Sequence, residues 1–131
     1  MQYRQFAFEK LDVWKRSRVF VKEIYKLSKG FPSEERYNLT SQVRRSASSI
    51  SSNLAEGGAR VSGKEQARFT EISFGSLMET LNHLIIAADL GYISDKSVNN
   101  LRPMIEEIAN KLNALRKSQL KKDKKSNGGK K

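Results

Sequence analysis

Apolar positions recur at threes and fours in four separate stretches of this 131-residue chain, and no stretch carries the strict alternation of a half-buried strand. The first stretch runs from Asp12 to Lys29, with Val13, Ser17, Phe20, Ile24 and Leu27 spaced 4, 3, 4 and 3. Trp14, Val21 and Tyr25 widen that seam, Asp12 is placed to cap the start, and Gly30 to end the helix in a left-handed residue. Phe31-Pro32-Ser33 makes a turn, with Pro32 or Ser33 opening the next segment; Leu39, Val43, Ala47, Ile50 and Leu54 then follow up to a stop at Gly57-Gly58. Ser62 and Glu65 have the spacing of a capping box. Phe69, Ile72, Leu77, Leu81, Leu84, Ile85 and Ala88 follow at helical spacing, closed by Leu90-Gly91, which predicts a helix about 40 Å long. The fourth stretch starts near Ser94 and reads Val98, Leu101, Ile105, Ile108, Leu112 and Leu115, with Pro103 inside it predicting a kink or a late restart. Four amphipathic helices joined by short turns predict an all-α, antiparallel up-and-down four-helix bundle over residues 1–116.

The second helix departs from ordinary patterning. Ser46, Ala47, Ser48, Ser49, Ser51 and Ser52 remove side-chain bulk for two turns, which lets another helix come close, while the hydroxyls can bond back to their own backbone. Ser48, Ser49, Asn53, Glu56 and Gly57 are therefore read as a tight helix–helix or subunit contact, with Arg44, Arg45, Arg60 and Arg68 as possible partners of Glu56. Enzyme chemistry fits poorly. A nucleophilic serine needs a base within reach, and the one histidine, His83, lies on another helix with no evident orienting carboxylate. Gly57-Gly58 lacks the Gly-Lys-Ser/Thr ending of a phosphate loop. A bundle di-metal centre uses Glu-x-x-His on two helices, whereas Glu79 and His83 are four apart and no second histidine exists. The expectation is a non-enzymatic protein with no metal and no cofactor.

Charge adds a direction. The chain carries 25 Lys and Arg against 14 Asp and Glu, a formal +11. Residues 117–131 supply seven lysines and one aspartate and have little to bury, so they are expected to form a disordered Lys-rich tail; residues 1–116 keep a net +5. On the first helix, Lys15, Arg18, Lys22, Lys26 and Lys29 fall within an arc of about 80°, opposite the apolar seam, with only Glu23 near enough to offset them. Solvated helix faces usually mix signs so that i,i+4 pairs form. A row of one sign suits a phosphate backbone, and Arg44, Arg45, Arg60 and Arg68 are candidates to extend it. No aromatic-rich RNA-recognition motif or zinc finger is present, so recognition would rest on shape and phosphates. The N-terminus has no continuous apolar segment and no membrane-length run follows, which gives a soluble, cytoplasmic expectation with no membrane partner.

Several separated blocks, in order, resemble the four-helix-bundle proteins encoded by intervening sequences in bacterial 23S rRNA genes: FEKLDVW, FPSEERYNL, SQVRRSASSISSNLAEGGAR, ARFTEISFGSLMET and LGYI, from Phe8 to about Leu115. More distantly, the chain is similar to the accessory protein of diversity-generating retroelements, which partners a reverse transcriptase. The resemblance implies a ring-like homopentamer with basic surfaces toward RNA. Its signature positions fall here at Ser49, Asn53, Glu56, Gly57, Arg68, Phe69, Gly75, Ser76 and Glu79, all expected in packing or interface roles. Two functional expectations follow: an oligomeric RNA-binding bundle, or a protein-interaction adaptor for a nucleic-acid enzyme such as a reverse transcriptase.

Overall fold

A computed structural model describes residues 3–128. Helices α1 (Asp12–Ser28), α2 (Leu39–Gly58), α3 (Gly63–Asp89) and α4 (Asp95–Gly128) are accompanied by two short 3₁₀ turns, Ala7–Lys10 and Ser33–Glu35, and no strand occurs among the described residues. Contacts between neighbours run in opposite directions along the chain. Ser46 meets Thr80 while Ser73 meets the Ile50 carbonyl, and Asp12 pairs with Lys111 while Arg16 pairs with Glu107. The helices are therefore antiparallel. Phe20, Ile24, Val43, Ala47, Ile50, Leu77, Leu84, Ile108 and Leu112 form the centre of the core, each at most 1 % exposed. Burying one such large side chain stabilises by roughly 1.5–3 kcal/mol.

The helix ends correct several expectations. Asp12 does not cap α1: Leu11 holds the N-cap position without a side-chain bond, and the Asp12 carboxylate is turned to Lys111 on α4. Gly30 is not left-handed, because the chain leaves α1 through successive right-handed turns in which Gly30 and Phe31 donate to Leu27 and Ser28 carbonyls. Pro32 and Ser33 open only a 3₁₀ turn. Helix α2 starts at Leu39, whose amide donates to one Glu35 carboxylate oxygen at 3.3 Å while the other oxygen takes the Tyr92 hydroxyl at 2.7 Å. That hydrogen bond, more than burial, raises the Tyr92 pKa above its ordinary value. Gly91, at φ 80°, is the positive-φ residue of the described chain and closes α3 by a Schellman arrangement, with Tyr92 donating to the Ala87 carbonyl and Gly91 to that of Ala88.

The face of α3 also differs from the periodicity reading. Ile72 and Ile85, expected inside, are 44 % and 39 % exposed. Ala67, Thr70, Ser73, Ser76, Thr80, His83 and Ala87 are buried instead. Small hydroxylated residues belong in this seam because α2 and α3 share the most extensive contact of the bundle, and the hydroxyls of Ser73, Ser76 and Thr80 each find an acceptor. Gly57 lies against Phe69: a Cβ at that position would come within 2.9 Å of the Phe69 Cβ.

Helix α4 runs unbroken past Pro103, which is exposed, as is Asn99, whose carbonyl loses the proline's bond. Nor does the helix end at residue 116. It continues to Gly128, and two of its residues beyond 116 hold α3: the Gln119 side chain accepts from Thr70 at 2.7 Å, and the Asp123 carboxylate accepts the amides of Gly63 and Lys64 at 2.8 and 2.7 Å. Ser62 accepts the Glu65 amide at 3.1 Å, so three of the orphan donors at the start of α3 are satisfied, two of them from another helix. Composition misled about residues 117–128 because lysine and glutamine are good helix formers once a few anchors offset the ordering cost. Residues 129–131 lie outside the described residues.

Candidate nucleic-acid interface

Helix α1 turns Val13, Ser17, Phe20, Ile24 and Ser28 into the bundle, which leaves Lys15, Arg18, Lys22, Lys26 and Lys29 on its opposite side, all exposed. Among the described residues the one carboxylate in ion-pair range of this row is Glu23, 3.8 Å from the Lys26 ammonium. Arg18 lies 4.9 Å over the ring of Trp14, itself packed edge-to-face on Phe8, so one cation of the row has a fixed base. The acidic residues that do meet α1 gather on its α4 side. Arg16 binds Glu107 at 2.9 Å, and Lys111 bridges Asp12 and Glu107. Lys111, foremost by its hydrogen bond, holds the Asp12 carboxyl below its ordinary value, and Asp12 raises Lys111 in return. The row on α1 is thereby left with little competition.

Of the four additional arginines, one joins this face directly. Arg44 donates to the Ser28 hydroxyl at 2.8 Å and lies 4.6 Å over the ring of Tyr25, which sits between Lys22 and Lys29 on the α1 surface. Next to it is a groove of about 420 Å³ bordered by Tyr25, Arg36, Tyr37, Arg44, Arg45 and Ser48. No carboxylate among the described residues lines it; Glu35, adjacent in sequence to Arg36, is engaged by Leu39 and Tyr92. Arg60 instead stacks 4.9 Å over Phe69, and Arg68 is exposed on α3, so neither contacts α1. Arg36, Tyr25 and Tyr37 were not legible as site residues. The signal available was the Arg36-Tyr37 pair at the turn, which needs the fold to bring it beside Arg44.

The expected packing residues divide in the structure. Ser49 is central: its hydroxyl accepts from Ser76 at 2.9 Å and from the Asn53 amide at 2.9 Å, which also donates to the Ser49 carbonyl at 2.8 Å. Gly57 and Phe69 are in the same seam. Ser48 borders the arginine groove instead. Glu56 is exposed, with none of its four arginine candidates in ion-pair range among the described residues. Glu79 pairs with His83 at 3.2 Å, and a Cβ on Gly75 would meet nothing within 4 Å. Nowhere among the described residues do three metal-ligating side chains converge. Among the described residues, no helix is long and apolar enough to cross a membrane.

These features define an all-α four-helix bundle. The same fold occurs in the crystal structure of a protein with unknown function from the S23 ribosomal protein family of Bacteroides thetaiotaomicron VPI-5482. The two superpose with a TM-score of 0.72 at 24 % identity, over 80 % of this chain and 98 % of that one. The chain belongs to the family of 23S rRNA-intervening sequence proteins, whose model matches residues 9–114. Among curated proteins, none matches it.

Proposed function

We propose that this protein is a non-enzymatic, oligomeric RNA-binding bundle of the cytoplasm that holds phosphate backbones along the outer side of α1. The observation that carries this reading is the row Lys15, Arg18, Lys22, Lys26 and Lys29, exposed over the length of one helix with a single carboxylate in reach among the described residues. A row of this kind attracts a polyanion and releases its counterions, so affinity must fall linearly in log salt with a slope of about −0.9 per phosphate on a duplex. The test is fluorescence anisotropy of the full chain with a 20-base-pair RNA duplex across a salt series. Charge reversal of Lys15, Arg18 and Lys22 should flatten the slope by about three phosphate contacts' worth. Absence of binding at low salt refutes the proposal.

A second surface supports assembly. Ile72, Met78, Ile85, Ile86 and Leu90 leave 38–55 % of their surface exposed on α3. Ile72 and Ile86 share one exposed face of α3 with Gly75, where the missing side chain leaves room for a close neighbour. We assign this face to self-association, the pentamer of the family resemblance being the expected product, which would multiply the cationic field. The adaptor reading uses the same face for a different protein. Light scattering of the purified chain separates them: a monomer throughout the micromolar range refutes self-association.

A further inference from the structure

The groove beside α1 has a chemistry that the cationic row lacks. We infer that it is a single-strand pocket, in which an unpaired RNA base stacks on Tyr37 while the flanking phosphates lie against Arg36, Arg44 and Arg45. This inference rests on the RNA-binding reading above and narrows it to a site and a nucleic-acid form.

Three observations carry it. The first is the charge: three guanidinium groups border a space of about 420 Å³ and, among the described residues, no carboxylate does, so an anion entering it has no competing anion to displace. The second is the aromatic surface. Tyr37 is 83 % exposed, and Arg36 sits 5.4 Å from its ring centroid, which leaves a ring face open to solvent on a residue that contributes nothing to the core. Tyr25, 41 % exposed and stacked under Arg44, is the second ring of the groove. Exposed aromatics interleaved with arginine suit unstacked bases, because every base presents a π-face and duplex bases present none. The third is continuity. Tyr25 shares its helix face with Lys22 and Lys29, so a strand leaving the groove runs directly onto the cationic row. Ser41 and Ser48, two turns apart on α2, add hydroxyl donors at the rim.

An acidic peptide would satisfy the arginines but would have no use for the open ring. The experiment therefore separates base stacking from charge. The full chain is titrated against a 12-nucleotide oligoadenylate, an abasic 12-mer of equal charge, and the RNA duplex, each labelled and at fixed salt. Oligoadenylate should bind more tightly than the abasic strand. Tyr37→Ala should weaken oligoadenylate by about 5- to 150-fold, the range for one stacked base, while Tyr37→Phe restores it and duplex affinity stays within about twofold. Circular dichroism controls for folding, which a residue this exposed should not perturb. Equal affinity for the abasic strand, or insensitivity to Tyr37→Ala with duplex binding intact, overturns the pocket and leaves the cationic row standing. Loss of all three ligands from the wild-type protein overturns the RNA-binding reading itself.

Discussion

Gly63→Ala tests the tightest glycine contact of the described residues. A Cβ on Gly63 would stand 2.0 Å from the Gln119 carbonyl oxygen and 3.0 Å from both the Gln119 carbonyl carbon and an Asp123 carboxylate oxygen. The obstacle is backbone, which cannot rotate away. Ordinary contact begins near 3.4 Å, so α4 must retreat by about 1.4 Å at this point. Such a movement stretches the 2.8 and 2.7 Å bonds from Gly63 and Lys64 to Asp123 past 3.5 Å, beyond useful geometry. Overfilling a packed site costs about 1–3 kcal/mol, and losing a helix cap about 1 kcal/mol more. The last turns of α4 can lift away as a unit, which keeps the total toward the lower end, about 2 kcal/mol. For a domain of this size that lowers Tm by roughly 5–10 °C. Hydrogen exchange should localise the damage: the Gly63 and Lys64 amides lose protection, while those of Phe20 and Ile24 keep theirs apart from the global shift. Gly75→Ala is the contrast, since its Cβ meets nothing within 4 Å and alanine favours an exposed helix interior by about 0.5–1 kcal/mol. If Gly63→Ala melts at or above the wild-type temperature with those two amides still protected, α4 does not lie where the structure puts it.

Two further outcomes follow from the seam and the charges. Ser49→Leu forces bulk between α2 and α3 and strips the acceptor from Ser76 and Asn53, so calorimetry should find a loss of about 1–3 kcal/mol, whereas Ser48→Leu, at the rim of the arginine groove, should cost under about 1 kcal/mol. Asp12, its folded pKa below the ordinary 3.8 through Lys111, contributes stability that is present above that value and lost as pH falls through the folded pKa. Asp12→Asn should therefore flatten the acid limb of a Tm-against-pH profile below about pH 4; an unchanged limb contradicts the ion pair.

The bundle was legible because its strongest signal is a repeated one. Val13, Phe20 and Ile24, or Ile105, Ile108 and Leu112, mark their faces by hydrophobicity, and those faces are buried as expected. Helix α3 broke that equation. Its inner side is built from Ser73, Ser76 and Thr80, whose hydroxyls cost nothing once each has an acceptor, while Ile72 and Ile86 are left outside. Composition alone cannot tell a serine bonded to a neighbour from one bonded to water. The end of α4 failed for a related reason: the seven lysines of residues 117–131 read as solvated chain, and the two residues that anchor the segment, Gln119 and Asp123, acquire meaning only beside Thr70 and Gly63. The cationic row needed one helix and was visible. The groove needed a turn, α1 and α2 together, and was not.

The hydroxyl-lined contact between α2 and α3 also fixes how the two rods are set lengthwise. An oily interface of leucines tolerates sliding, since one apolar neighbour replaces another at small expense. Here a slip of one turn, about 5.4 Å, would separate Ser46 from Thr80, Ser49 from Ser76 and Ser73 from the Ile50 carbonyl in a single step, and would drive Gly57 off Phe69. No intermediate offset restores the set. The pairing works as a vernier with one coincidence, so whatever surfaces the outer helices present to a polyanion are presented at one fixed spacing.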